Sequence, residues 1–201
     1  MNDIAAVILA AGRSTRMGSS KMLLPWKDKT VLDSVIDLAE SAGLNPIVVV
    51  TGAFHDDIHL LLSKYFKRIE EIHNPSYAQL EMFHSIKLGV ESLVQRCGAA
   101  IIFLGDQPQI ETELIDDLIS RFNEKKSRVI IPSFQMHRGH PIVIHQDLFP
   151  EILATPDDKN LKSFLNLHSS EIDYVVVNTS SVLQDMDSPE DYHRLKNNQK
   201  E

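Results

Sequence analysis

The sequence predicts a three-layer α/β fold, a twisted, mixed but mainly parallel sheet with helices on both faces. Three observations predict it: short β-branched or wholly apolar runs recur, amphipathic segments of helical length separate most of them, and one pair of runs is spaced too closely for that alternation. Strands covered on both faces read as near-continuous apolar stretches, and strands alternating with helices favour parallel pairing. In chain order the strand candidates are residues 5–9, 46–50, 99–104, 128–131, 142–144 and 174–177. The helix candidates are residues 31–42, 56–66, 81–93 and 111–122, the last with Leu114, Leu118, Ile119 and Phe122 on one stripe. Thr30 with Asp33 has the pattern of a capping box, and Ser188-Pro189-Glu190 reads as an N-cap followed by proline at the first helical position. The short interval between Ile131 and Ile142 predicts a hairpin-like excursion around Arg138-Gly139.

Bulk properties exclude several classes of function. With 201 residues, 43% of them hydrophobic, and no repeat, low-complexity tract or linker, one domain spanning residues 1–201 is expected. A formal net charge of −8 argues against a broad polyanion-binding surface, so no nucleic-acid partner is expected. A phosphate-rich substrate would have to be met by a local basic patch and a metal ion. Cys97 is the only cysteine, which excludes an intrachain disulfide and a cysteine-based zinc site and fits a reducing compartment. Residues 1–9 have no basic segment ahead of their apolar stretch, and no apolar run approaches the roughly 18 residues needed to span a bilayer. A cytoplasmic protein without a membrane partner is the expectation.

The strongest local signal follows the first strand. Leu9-Ala10-Ala11-Gly12 runs from an apolar strand into small residues, and Arg13, Arg16, Gly18 and Lys21 follow. Small residues let main-chain amides approach a ligand closely, arginine makes bidentate contacts with phosphate, and lysine supplies a point charge. The glycine spacing fits neither the dinucleotide fingerprint nor the P-loop. A plain strand-to-helix turn with solvated cations is the less economical alternative.

Two acidic stretches complement this loop. Residues 100–104 are apolar and lead into Gly105-Asp106-Gln107-Pro108. In an open α/β sheet ligands gather at the carboxyl ends of strands, so Asp106 falls on the same edge as the basic loop and can hold Mg²⁺, which favours one or two carboxylates plus phosphate oxygens. Asp-x-Pro is also ordinary turn chemistry. Asp185-Met186-Asp187 precedes the terminal helix. Asp187 is favoured as a second metal ligand because it directly precedes the cap Ser188; Asp185 remains open, and acidic residues near a helix start also suit the helix dipole.

These residues resemble a known family. Leu9-Ala10-Ala11-Gly12, Arg16-Met17-Gly18 and Lys21-Met22-Leu23-Leu24-Pro25 together resemble the signature of the nucleotidyltransferase superfamily, and the chain is most similar to its molybdenum cofactor cytidylyltransferase branch over almost the whole length. The resemblance implies a Rossmann-like nucleotidyltransferase fold and CMP transfer from CTP to molybdopterin with release of pyrophosphate. It implies Mg²⁺ as cofactor and a molybdenum hydroxylase apoenzyme as a further partner. It places Arg16, Lys21 and Asp106 in catalysis, Asp106 and Asp187 on the metal, and Leu9, Ala10, Ala11, Gly12, Arg13, Gly18, Lys21, Ser85 and Asp106 on the nucleotide. Arg138-Gly139-His140-Pro141 resembles the segment that lines the acceptor pocket. A zinc site at His137, His140 and His145 matches no strong ligand pattern.

The chain departs from the family at two places. Glu81 stands where a glycine is usual and His84 precedes Ser85, which bears on base preference; Asp157-Asp158-Lys159-Asn160-Leu161-Lys162 replaces a Gly- and Arg-containing segment, which bears on the acceptor. A nucleotidyltransferase for a sugar phosphate or polyol phosphate is therefore an alternative, as is a non-catalytic protein that binds and delivers the cofactor.

Overall fold

The computed structural model describes residues 3–65, 67–125 and 127–198; Phe66, at the end of the second expected helix, and Met1, in the segment read for a leader, lie outside them. The strands are β1 (Ile4–Ala10), β2 (Pro25–Trp26), β3 (Lys29–Thr30), β4 (Ile47–Thr51), β5 (Ile69–His73), β6 (Ala99–Leu104), β7 (Val129–Phe134), β8 (His137–Arg138), β9 (Ile142–His145) and β10 (Ile172–Val176). The helices are α1 (Val31–Ser41), α2 (His55–Leu62), α3 (Met82–Leu93), α4 (Thr112–Glu124), α5 (Phe149–Ala154), α6 (Leu161–Leu167) and α7 (Pro189–Asn197).

The main sheet has the order β10-β7-β9-β6-β1-β4-β5, with β8 added to β7. β1 is parallel to β4 and β6, β5 to β4, and β10 to β7. The excursion expected around Arg138-Gly139 is present: β7 turns into β8, and β9 returns antiparallel between β6 and β7. The sheet is thus mainly parallel and mixed, as the spacing predicted.

β1 shows why both faces are covered. Ala5, Val7 and Leu9 pack in one cluster with Phe83, Ile86 and Val90 of α3, while Ala6, Ile8 and Ala10 pack in another with Leu32, Val35 and Ile36 of α1. Alternate residues of a strand point to opposite faces, so a wholly apolar strand needs helices on each side. A third cluster joins Trp26, Val31, Met186, Tyr192 and Leu195, setting α7 against the β2–β3 hairpin. Because Met186 is fully buried there, its neighbours Asp185 and Asp187 are pinned at a fixed place on the surface of that cluster.

The short β2–β3 hairpin was not legible, nor were three further elements. β5 has only Ile69 and Ile72 as apolar residues among Glu70, Glu71 and His73, a composition suited to a charged sheet edge. α5 and α6 are too short to declare a helical period. All the parallel strands send their carboxyl ends to one edge, and antiparallel β9 begins there, so the connections bearing the predicted site residues meet on that edge.

The capping box predicted at Thr30 is formed and extended. The Asp33 N–H donates to Thr30 Oγ1, and Asp33 Oδ2 accepts the Thr30 N–H, both at 3.2 Å. Asp33 Oδ1 also accepts the Tyr65 hydroxyl at 2.9 Å and pairs with Lys64 Nζ at 2.7 Å. Burial would raise the Asp33 carboxyl, but the bonds from Lys64, Thr30 and Tyr65 outweigh it and hold the group below its ordinary range. Asp33→Asn is expected to cost about 2 kcal/mol at neutral pH. The folded carboxylate takes up its proton at lower pH than the unfolded one, so this difference is complete well above about pH 4 and disappears as pH falls through the folded value. Urea melts of both proteins between pH 7 and pH 3 check this; a gap that widens on acidification contradicts it.

Candidate active site

The carboxyl ends of β1 and β6 are clamped together at a glycine. Gly105 N–H donates to the Leu9 carbonyl at 3.0 Å. A Cβ at Gly105 would stand 2.9 Å from that carbonyl oxygen and 3.0 Å from Met22 Sδ, so no other residue fits without displacement. This close approach sets Asp106 beside the 3-10 turn that begins at Lys21. Within the basic loop Gly18 takes a φ of +69°, the left-handed conformation that favours glycine, and Gly12 opens onto free space.

Lys21 is buried, and its ammonium hydrogen-bonds Asp106 Oδ2 and reaches Asp187 Oδ1 at 3.2 Å. Arg16 Nη2 donates to Asp187 Oδ2 at 2.8 Å. Burial would lower the Lys21 ammonium, but Asp106 and then Asp187 outweigh it and hold the group above its ordinary value. Asp185 lines the same cleft; burial, then the charges of Asp106 and Asp187, push its carboxyl up. One buried ammonium therefore serves a crowd of carboxylates that it does not fully neutralise.

Two adjoining clefts open around this cluster. One, of about 270 Å³, is lined by Leu9, Ala11, Met82, Ser85, Leu104 and Asp106 among others; the second, of about 430 Å³, is lined by Arg13, Ser14, Thr15 and Arg16. Gly12, Lys21, Tyr77 and Asp187 line both, so the two clefts adjoin at these residues. The structure thus brings together Leu9, Ala11, Gly12, Arg13, Arg16, Lys21, Ser85, Asp106 and Asp187. It places Ala10 in the core at 1% exposure, and neither Ala10 nor Gly18 lines the clefts.

The residues expected on the acceptor side do not line these clefts. Arg138 Nε donates to the Tyr174 hydroxyl at 2.9 Å and its Nη1 to Asn166 Oδ1 at 3.0 Å. A Cβ at Gly139 would lie 2.6 Å from Val182 Cβ, and the His140 N–H donates to the Val182 carbonyl at 3.0 Å. This segment therefore supports the chain just ahead of Asp185. Burial pushes His140 down to about 4, and its Nε2 has no hydrogen-bond partner among the described residues, so it is a neutral imidazole at neutral pH.

Sequence reasoning missed the amides that join the two acidic stretches. Gln107 Nε2 donates to the Gln184 carbonyl at 3.3 Å and to Asp185 Oδ1 at 3.1 Å, and Gln109 Nε2 donates to the carbonyls of Ser181 at 3.1 Å and Gln184 at 2.7 Å. They tie the loop after Asp106 to the segment carrying Asp185 and Asp187. Tyr77 lines both clefts. Among the described residues no group of three or more His, Cys, Asp or Glu side chains is arranged to hold a metal by itself. Asp106 and Asp187, converging on one ammonium, fit Mg²⁺, which takes most of its oxygens from phosphate and water.

A two-faced α/β sheet whose basic turn and paired carboxylates meet at adjoining clefts has the parts that a nucleotidyltransferase needs. Comparison with known proteins narrows the class. Residues 6–172 match the MobA-like NTP transferase domain, and the chain belongs to that family. It is 30% identical over 199 residues to the molybdenum cofactor cytidylyltransferase of Escherichia coli K12, covering 98% of this chain and 97% of that protein. It is 26% identical over 200 residues to the purine catabolism protein PucB of Bacillus subtilis 168, covering 96% of each. Among solved structures, that of Rv0371c from Mycobacterium tuberculosis H37Rv in complex with manganese superposes with a TM-score of 0.81 at 24% identity, covering 97% of this chain and 98% of that one. No helix among the described residues is long and apolar enough to cross a membrane.

The Lys21–Asp106 pair is testable on its own. Lys21→Ala leaves a buried carboxylate without its counter-charge and is expected to cost about 3 kcal/mol. Combining it with Asp106→Ala should cost less than the sum of the single changes, because the second change removes the orphaned charge. Denaturant melts of the four proteins measure the coupling, and strictly additive losses refute it.

Proposed function

We propose that the chain is a magnesium-dependent, cytoplasmic nucleotidyltransferase that moves CMP from CTP onto molybdopterin carrying molybdenum and releases pyrophosphate. One observation carries this reading: the Lys21 ammonium joins Asp106, which lines one cleft, to Asp187, which lines both that cleft and the adjoining one bordered by Arg13 and Arg16, so the basic turn and the carboxylate pair meet at a shared boundary. Similarity to the E. coli cytidylyltransferase over nearly all of both chains supports the choice of CTP and molybdopterin. The manganese complex of a protein of the same fold supports a divalent cation.

Arg13, Arg16, Lys21 and the loop amides hold the triphosphate. Arg16 and Lys21 neutralise Asp187 and Asp106 in the protein alone, and both face phosphate oxygens once a nucleotide fills the cleft. Asp106 and Asp187 hold the Mg²⁺. When bound, Mg²⁺ supplies positive charge that orients the phosphates and offsets charge developing on the leaving group. The apolar walls at Leu9, Met82 and Leu104 and the hydroxyl of Ser85 receive the nucleoside. Arg138, Gly139 and neutral His140 border the acceptor on the β9 side. An acceptor phosphate oxygen attacks the α-phosphorus in line; the new P–O bond forms as the bond to pyrophosphate breaks, and no covalent enzyme intermediate is required. Positioning and electrostatics supply the acceleration. The product serves a molybdenum hydroxylase apoenzyme.

Incubation with CTP, Mg²⁺ and the molybdopterin acceptor is expected to yield pyrophosphate and the cytosine dinucleotide. Asp106→Ala should lower turnover by about 10²-fold or more while weakening CTP binding less than tenfold, since the metal acts most on transition-state charge. Pyrophosphate only with a sugar or polyol phosphate would move the acceptor assignment to that class. Stoichiometric delivery of unchanged cofactor without pyrophosphate would replace the enzyme with a carrier.

A further inference from the structure

The nucleoside side of the cleft contains one charged group that the chemistry above leaves unused. Glu81 lines the cleft directly ahead of α3, its side chain is exposed, and among the described residues no hydrogen bond or ion pair engages its carboxylate. Nor does that side chain cap the helix it precedes. Ser85, four residues on and within α3, lines the same cleft.

The hydroxyl of Ser85 is held from behind. Asn74 Nδ2 donates to Ser85 Oγ at 2.9 Å. Asn74 is itself fully buried and fixed, its Oδ1 accepting the Ser76 N–H at 2.9 Å and its own N–H donating to the Thr51 carbonyl at 2.8 Å. With Oγ accepting from Asn74, the Ser85 hydroxyl keeps its O–H to donate and one further lone pair. The cleft therefore presents an anionic acceptor at Glu81 and a hydroxyl able to donate at Ser85, among the apolar side chains of Leu9, Met82 and Leu104.

We infer that Glu81 is a specificity-determining residue that selects a nucleobase bearing an exocyclic amino group; the inference rests on the cleft being the nucleotide site. Cytosine offers a terminal N4 amino group to the carboxylate and its adjacent N3 to the hydroxyl. Adenine matches in the same way through N6 and N1, and guanine gives N1–H and N2–H to the carboxylate and O6 to the hydroxyl. Uracil has only N3–H to give, between two carbonyl oxygens that turn their negative ends toward the carboxylate. A glutamate is acceptor-only when ionised, so it cannot reverse its role to suit uracil. The carboxylate is exposed, so solvent moderates the discrimination below that of a fully buried site.

Titration calorimetry with CTP, ATP, GTP and UTP, each with Mg²⁺, tests the assignment on the wild-type chain, Glu81→Gln and Glu81→Ala. At least one amino-bearing triphosphate is expected to bind about tenfold or more tightly than UTP, and the three such arms show which base it is. Both variants should shrink that ratio to about twofold, by weakening the amino-bearing ligand and strengthening UTP. Equal affinity of all four for the wild type, or a ratio that survives both substitutions, overturns the role of Glu81 while leaving the nucleotide site intact. Absence of binding by any triphosphate overturns both.

Discussion

A lysine ammonium held between two carboxylates governs how the rest of this molecule is arranged. Lys21 is buried together with Asp106, and neither charge is tolerable there without the other. Their meeting fixes two stretches of chain that are remote in sequence, and Asp187 brings in a third. The sheet does the coarse placement by setting β1 beside β6 in parallel, so that both strand ends open on one edge. Finer placement comes from Gly105, which lets β6 press against the Leu9 carbonyl, and from Met186, whose burial under α7 leaves Asp185 and Asp187 exposed to the cleft from either side.

The charge pattern reconciles an acidic protein with an anionic ligand. A net charge of −8 repels polyphosphate at long range. Arg13, Arg16 and Lys21 reverse the sign locally, while burial first, and then the charges of Asp106 and Asp187, raise the carboxyl of Asp185 opposite them. In the proposed reaction a nucleotide and a cation arrive together, each meeting the charge the other leaves exposed. In that proposal the nucleoside is received on the α3 side, where Glu81 and Ser85 stand, and the acceptor on the β9 side, where His140 is neutral and Arg138 would supply the cation.

What could be read from the sequence was whatever is encoded locally. Small residues and cations following an apolar strand declare the loop at residues 10–21, and Gly-Asp-Gln-Pro at the end of another declares Asp106. The cap at Ser188 pointed to Asp187, which meets Arg16 and Lys21, while Asp185 turns to Gln107. Features decided by distant partners were not legible. Gln107 and Gln109 act on carbonyls more than seventy residues away, and no local pattern announces that. Ser85 was visible, but its orientation by Asn74 was not. Arg138 was recognised, yet its partners Tyr174 and Asn166 depend on how β10 and α6 dock, and α6 itself has too short a period to be seen. β5 escaped because an edge strand need not be apolar.

A crystal of the protein grown with Mn²⁺ and a non-hydrolysable CTP analogue is the most direct test that a cation and the basic turn grip the same triphosphate. Anomalous scattering is predicted at a metal bonded to both Asp106 and Asp187, with the phosphates lying along residues 12–21 in contact with Arg16 and Lys21. Metal seated away from those carboxylates, or phosphates bound on another face of the molecule, would contradict it.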